Sequence, residues 1–266
     1  MVRLIVCGVF GRMGKAVQEL VLKTENVRIV AGVVNKETYT LAGSDDSPQC
    51  KTSPGFPIYT SIDEINTHAD CVVSFLPPTA LDANQKILSH CAKLKLPVII
   101  CTTGLPDDFI GEMNKASEET AVLYSANVSY GMNLVSEILE RYSESLLNEG
   151  FDAEIIEAHH GRKIDAPSGT ALKHANTITK AVEGNMELVY DRSKRHEKRK
   201  KNEIGIHTIR GGGIFGDHKI VFASEYEVIE ISHRAINRQV FAKGAIKAAM
   251  FLSGKPPGMY TMKDII

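Results

Sequence analysis

The sequence predicts an α/β protein in two parts: a doubly wound parallel sheet, then a second α+β domain built on a mostly antiparallel sheet. Three observations predict it. Short apolar runs alternate with helix-periodic stretches through the first half of the chain. A glycine-rich turn joins the first apolar run to the first helix. After residue 130 the pattern changes to a long helix followed by strands at hairpin-like separations.

Val2–Cys7 is an apolar run of strand length, buried on both faces in this reading. Met13, Ala16, Val17, Leu20 and Val21 then recur at helical spacing, and Val27–Val34 is a second strand. Lys36–Pro57 is rich in Gly, Ser, Asp and Pro and reads as a long surface connection. Cys71–Leu76 and Pro97–Cys101 are two more strands, with Leu81, Ile87, Leu88 and Cys91 on one helix face between them. Ala121–Tyr124 closes the series, and right-handed crossovers make the sheet mostly parallel. Met132–Leu147 reads as a helix and Phe151–Ala158 as a strand. Ala171, Leu172, Ala175 and Ile178 share one face of a further helix. Ile204–Arg210, Lys219–Ala223 and Tyr226–Ile231 are strands, with turns at Gly211-Gly212-Gly213 and Gly216-Asp217. Phe241–Leu252 is an amphipathic helix expected to pack back on the first part. The expected division is 1–129, 130–239 and 240–266.

The 266 residues are 43% apolar and 24% charged, with a net charge of −1, so no global field attracts nucleic acid or an anionic membrane. No apolar run approaches the ~18 residues of a membrane span. Met1–Val9 reads as a strand entering a turn rather than a signal peptide. The five cysteines (Cys7, Cys50, Cys71, Cys91 and Cys101) are odd in number and form no Cys-x-x-Cys pair. They suggest buried thiols in a reducing, cytoplasmic compartment and no metal site. The basic run Arg192, Lys194, Arg195, Lys198, Arg199, Lys200 and Lys201 lacks interleaved aromatics and reads as a solvated loop.

Gly8-Val9-Phe10-Gly11-Arg12-Met13-Gly14 lies where the first strand becomes the first helix. Glycine there permits a tight turn and lets backbone approach a pyrophosphate held at the helix N-terminus. The spacing G-x-x-G-x-x-G is one residue longer than the usual fingerprint of a Rossmann-like dinucleotide fold. Gly8, Phe10, Gly11, Arg12, Met13 and Gly14 are its candidate cofactor contacts. At the end of the second strand stand Asn35 and Lys36, where an acid would bind NAD ribose and repel a 2′-phosphate. The expected cofactor is NADPH and/or NADH, with NADPH bound at least as well. Thr102, Thr103 and Gly104 follow one strand, and Ser125, Asn127 and Val128 follow another. Both lie at carboxyl ends where such a sheet takes its ligand.

His159-His160-Gly161-Arg162-Lys163 precedes Pro167-Ser168-Gly169-Thr170 at a helix start. Histidine donates a proton near neutral pH, and lysine is a point charge for a carboxylate. Ser168, Gly169 and Thr170 offer N–H groups reinforced by the helix dipole. Adjacent strand residues point to opposite faces, so one of the two histidines faces a given cleft unless the turn twists them. The grouping suits a small substrate with more than one carboxylate. His-x-x-x-His spacing is lacking and Asp165 is the stretch's one acid, so metal binding is the poorer reading.

Glu157-Ala158-His159-His160-Gly161-Arg162-Lys163-Ile164-Asp165-Ala166-Pro167-Ser168-Gly169-Thr170-Ala171 resembles the signature E-x-H-H-x-x-K-x-D-A-P-S-G-T-A of the 4-hydroxy-tetrahydrodipicolinate reductase (dihydrodipicolinate reductase) family. The Gly8–Gly14 turn, Thr102-Thr103-Gly104, Asn127-Val128-Ser129 with Gly131-Met132-Asn133, Gly216-Asp217-His218 and Phe241–Ala245 resemble its other markers in order. The resemblance implies reduction of a cyclic dicarboxylate in the diaminopimelate route to lysine, with hydride to ring C4 and a proton to C3. It implies His159 as proton donor assisted by Lys163, with His160, Lys163, Gly169 and Thr170 holding carboxylates. It also implies a homotetramer built through the sheet of the second domain. Two other readings compete. One is an amino-acid or semialdehyde dehydrogenase of similar two-domain build; its thioester-forming version needs a nucleophilic cysteine in the second domain, and every cysteine here precedes residue 102. A dinucleotide-sensing regulator has no need of His159, His160 and Lys163.

Overall fold

The computed structural model describes residues 1–42, 55–182, 186–190 and 192–266. They form two compact units, Met1–Tyr130 with Arg238–Ile266, and Gly131–Asn237.

Among the described residues the first unit is built on seven strands: β1 (Val2–Cys7), β2 (Val27–Val33), β3 (Ile58–Tyr59), β4 (Cys71–Ser74), β5 (Val98–Ile100), β6 (Ala121–Tyr124) and β12 (Gly258–Tyr260). Their order is β12-β6-β5-β4-β1-β2-β3, and every neighbouring pair is parallel. Successive side chains go to opposite faces. Leu4, Val6, Val73, Ile99 and Leu123 therefore meet Ala16 and Val17 of helix α1 (Arg12–Val21) and the alanine-rich side of α7 (Gln239–Leu252). Ile5, Cys7, Val72, Val98, Ile100 and Val122 meet Ile87, Leu88 and Cys91 of α3 (Leu81–Leu94), and Phe109 and Met113 of α4 (Asp107–Ala116). Helices on both faces make the sheet doubly wound. Cys7, Cys71, Cys91 and Cys101 are free thiols, and burial pushes Cys7 and Cys101 up to about 12. They serve as small hydrophobes. Cys50 lies outside the described residues.

The surface connection expected over Lys36–Pro57 opens instead with helix α2 (Lys36–Ala42). Its cap is Asn35, whose Oδ1 accepts the Thr38 N–H at 2.7 Å. Residues 43–54 of that stretch lie outside the described residues.

The second unit carries α5 (Tyr130–Asn148, its first residue in the first unit), β7 (Asp152–His159), α6 (Gly169–Lys180), β8 (Glu187–Val189), β9 (Glu203–Arg210), β10 (Asp217–Ala223) and β11 (Val228–Arg234). The sheet order is β11-β10-β7-β9-β8. It is mixed, not mostly antiparallel: β10 pairs antiparallel with β7 and β11, while β7–β9 and β8–β9 are parallel. The reason is the crossover through α6, which returns the chain in the direction of β7. Strand β7 thus separates β9 from β10, and the hairpin is confined to β10–β11. One face of the sheet buries Ala153, Ile155, Ile204, Ile206, Ile220 and Phe222 against Met132, Val135 and Leu139 of α5 and Ala171, Ala175 and Ile178 of α6.

The basic run is not simply solvated. Arg192 and Arg195 pair with the buried Glu203, and Arg195 also reaches Glu187 at 2.5 Å. Arg199 clamps Asp152 at 2.6 Å and Glu154 at 3.1 Å. The arginines turn inward to satisfy acids on β7, β8 and β9, while Lys194, Lys198, Lys200 and Lys201 are exposed.

Candidate active site

In the first unit the site is mostly backbone. The strand order reverses at β1, with β2 and β3 on one side and β4 to β6 on the other. Because all neighbours are parallel, the loops after β1, β2, β4, β5 and β6 emerge at one edge. This brings together Gly8–Gly14, Asn35-Lys36, Phe75–Pro78, Thr102–Gly104 and Ser125–Val128, and a switch point is where such sheets take ligands. Gly8 sits at φ +78°, a left-handed conformation that glycine adopts without strain. Gly11 caps α1, and its own N–H returns to Gly8 O at 2.9 Å. A Cβ on Gly14 would stand 2.3 Å from Val9 O and 2.4 Å from Gly8 O, so only glycine lets the helix close on the turn. The first turn of α1 contains no acid, leaving its positive end uncompensated by side chains. Arg12 and Gly11 are exposed there; Phe10 and Met13 are half-buried and pack on the core. These features fit a pyrophosphate.

The other predicted cofactor residues divide into exposed and internal ones. Asn35, Lys36, Thr103 and Gly104 are exposed. Thr102 is buried, and its hydroxyl donates to Leu76 O at 2.8 Å while accepting from Asn84 Nδ2 at 3.2 Å. Ser74 donates to Asn84 Oδ1 at 2.7 Å, so a buried polar chain ties the end of β4, helix α3 and the loop after β5 together. Ser125 donates to Asn127 O at 2.7 Å, Asn127 Oδ1 accepts from Ser129 N, and the Val128 side chain is buried in the core. The Phe75–Pro78 loop was not foreseen. It flanks Gly8 through Phe75 N donating to Cys7 O at 3.1 Å, and its Pro-Pro pair is the cue in the sequence.

In the second unit the site is made of side chains. The buried face of the sheet changes character near the end of β7. Ala153 and Ile155 give way to Glu157 and His159 on the same face; Ile204 and Ile206 give way to Thr208 and Arg210; Ile220 and Phe222 are joined by His218. Glu157 is 0% exposed. Burial pushes its carboxyl upward, but Arg210, His159 and the Ser168 N–H outweigh that and hold it down to about 2. His159 Nδ1 lies 2.6 Å from Glu157 Oε2, and its ring stands edge-to-face on His218 at 5.2 Å. Burial lowers the His159 pKa; Glu157 opposes the shift, and Lys163 and Arg210 add to it.

His160 lies beyond the strand end, so strict alternation does not govern it. It is half-buried with Nδ1 lacking a hydrogen-bond partner, and its carbonyl accepts the Lys163 N–H at 3.1 Å. Lys163 Nζ rests on Asp165 Oδ2 at 2.8 Å. Ser168 is buried and committed inside the protein: its N–H donates to Glu157 at 3.1 Å, its Oγ accepts from Ala171 N at 3.2 Å as the cap of α6, and His218 Nε2 lies 3.2 Å from that Oγ. Gly169 and Thr170 occupy the first turn of α6, at the positive end of its dipole. His218 and His174 stand edge-to-face at 6.2 Å, and burial pushes them down to about 3 and about 4. Glu157, Arg210 and His218 were missed as site residues. Alternation in β7 marks Glu157 as sharing a face with Ile155, which is the available signal.

A parallel sheet with a glycine turn at its switch point, together with a unit that ends a strand in a carboxylate-held imidazole, defines a nicotinamide-dependent oxidoreductase. Family models agree. "Dihydrodipicolinate reductase, N-terminus" matches residues 2–128 and "Dihydrodipicolinate reductase, C-terminus" matches residues 131–266. The chain belongs to the dihydrodipicolinate reductase family. It is 42% identical over its whole length to the 4-hydroxy-tetrahydrodipicolinate reductase of Caldanaerobacter subterraneus subsp. tengcongensis, covering 98% of that protein. It is 41% identical over 98% of its length to that of Clostridium tetani, covering 96% of the relative. The solved dipicolinate-bound dihydrodipicolinate reductase from Paenisporosarcina sp. TG-14 superposes with a TM-score of 0.81 at 23% identity, covering 100% of both chains. A myo-inositol dehydrogenase from Corynebacterium glutamicum shares the fold more distantly, with a TM-score of 0.58 at 11% identity over 100% of this chain and 92% of that one.

Proposed function

We propose that this chain catalyses the reaction of its family, NAD(P)H-dependent reduction of 4-hydroxy-tetrahydrodipicolinate (dihydrodipicolinate) to tetrahydrodipicolinate in the diaminopimelate route to lysine. The observation that carries the reading is the polar end of β7, where His159 hangs on an ionised acid beside Lys163 and the start of α6. Reduced nicotinamide, when bound, supplies hydride to ring carbon C4. His159 supplies the proton to C3. Its Nδ1 is committed to Glu157, so the acid is Nε2–H. Lys163 exchanges Asp165 for a substrate carboxylate, which lowers the cost of charge developing on the ring. His160 and the first-turn N–H groups of Gly169 and Thr170 hold the carboxylates, and Ser168 fixes the helix start that presents them.

Cofactor binding falls to the first unit. Gly8, Gly11 and Gly14 bring backbone to the pyrophosphate; Phe10, Arg12 and Met13 line the turn. Asn35 and Lys36 meet the ribose end, and with no acid there NADPH binds at least as well as NADH. Thr103, Gly104, Ser125 and Asn127 meet the nicotinamide end, on a base fixed by Thr102 and Val128. The family resemblance also supports a cytoplasmic homotetramer. The exposed apolar side chains Tyr226, Val228 and Ile229 on and beside β11 support assembly through this sheet. Among the described residues no helix is long and apolar enough to cross a membrane, and no group of three acids, cysteines or histidines is placed to hold a metal.

The test is loss of reduced-nicotinamide absorbance when purified protein and NADPH meet freshly generated substrate. Turnover is expected. A rate equal to that without substrate, in folded protein that binds NADPH, contradicts the proposal.

A further inference from the structure

Strand register leaves one fully buried acid at the centre of the second unit's site. Glu157 lies opposite Thr208 on β9 and His218 on β10. Both its oxygens are fully engaged. Oε2 takes His159 Nδ1 at 2.6 Å and Arg210 Nη1 at 2.9 Å. Oε1 accepts from Arg210 Nη2 at 2.8 Å, the Ser168 N–H at 3.1 Å and the Thr208 hydroxyl at 3.1 Å. The same Arg210 Nη2 also donates to the Asp165 carbonyl at 2.6 Å. One ion pair therefore touches the histidine, the loop that carries Lys163, and the residue that caps α6. As a stabilising device it is a poor choice, because well-packed apolar side chains of similar volume serve stability as well or better. Its geometry suits positioning instead.

We propose that Glu157 and Arg210 are positioning residues whose ion pair fixes the tautomer and orientation of His159 and ties it to the substrate-holding loop and helix. The proposal rests on His159 being the proton donor. An ionised carboxylate only accepts hydrogen bonds, so Nδ1 keeps its hydrogen in every state of the ring. The imidazolium then releases only its Nε2 proton, and the neutral ring left behind is the Nδ1–H form. The next proton, from water, returns to the same Nε2, so turnover needs no tautomer exchange. Among the described residues, Glu157 on its own strand, Arg210 on β9, His218 on β10 and Lys163 in the following loop face this ring. Of these, Glu157 favours the charged ring, while Lys163 and Arg210 oppose it.

The test is Glu157→Gln in the full-length enzyme, a change of nearly equal volume. Turnover is expected to fall on the order of 10–100-fold. The pH limb on which the acid form of His159 is lost is expected to move down by about one unit. An acid with a merely structural role predicts lower activity with an unmoved limb, and that result overturns the proposal. Should this variant fail to fold, nitrogen-15 NMR of the wild-type enzyme reads the tautomer directly, with His159→Gln assigning the signal. The neutral ring is expected as Nδ1–H; an Nε2–H form or an even mixture overturns the proposal. Failure of the donor assignment reads differently: His159→Gln would then retain turnover while the wild-type ring still showed the Nδ1–H form.

Discussion

The two units build their candidate binding residues by opposite means. The first unit offers backbone at the ends of parallel strands, and a buried polar chain, Ser74-Asn84-Thr102, braces loops without charge. The second unit offers side chains whose charge states are set by neighbours on three strands, centred on a carboxylate with no exposure at all. Anion binding by backbone needs only a local turn, so it tolerates change around it and fails when the turn fails. Proton donation by a buried imidazole needs several distant residues at once, so it fails through any of them.

The largest effect that would break this contrast is expected at Arg210. Arg210→Ala leaves Glu157 buried without its ion-pair partner, and should cost about 3–5 kcal/mol of folding free energy. Urea unfolding measures it, and a loss below about 1 kcal/mol would mean that water or relaxation compensates the acid. Next comes Gly14→Ala. The added carbon meets Val9 O at 2.3 Å, so the turn must open; overpacking of this kind costs about 1–3 kcal/mol. NADPH affinity should fall with it, measured by fluorescence titration, while the His159 NMR signal stays put.

The third prediction concerns pH. His174 and His218 are held neutral by burial, at about 4 and about 3, against about 6.5 when unfolded. The unfolded chain then binds more protons than the native one below pH 6.5. Stability is complete above that pH and is lost as pH falls toward the native values. By pH 5 the loss should be on the order of 1–2 kcal/mol per histidine. Glu157 adds nothing in this window, because its own contribution fades only below the ordinary carboxylate range. A stability curve flat from pH 7 to 5 would contradict the buried pair. The smallest effect is Asn35→Asp. Asp keeps the cap on Thr38 N but adds a negative charge where a 2′-phosphate would lie. The ratio of kcat/KM for NADPH over NADH should drop roughly tenfold, about 1.4 kcal/mol, with stability unchanged.

The same contrast explains what the sequence disclosed. The β1–α1–β2 unit and its glycine turn were legible because every part is contiguous. Helix α2 was not, because Lys36–Ala42 has no apolar periodicity, and at Asn35 the sequence does not separate a helix cap from a ribose ligand. Helix α4 is short, and its signals are local ones: Phe109, Met113 and Ala116 fall on one face and two acids follow Pro106. His159, Lys163 and the α6 start were legible as one segment. Glu157, Arg210 and His218 needed the pairings β7–β9 and β7–β10, and register between distant strands is not a local property. The mixed sheet was missed for the same reason. The basic run misled because composition does not reveal that Arg192, Arg195 and Arg199 answer acids on three strands.

The central claim is that His159 gives up the proton. It is tested most directly by turnover of His159→Gln at saturating NADPH and substrate, alongside the NADPH dissociation constant. The account predicts that kcat falls by about 10²–10⁴, the range for loss of a positioned acid, while NADPH binding stays within about twofold. Turnover within a few-fold of wild type would contradict it.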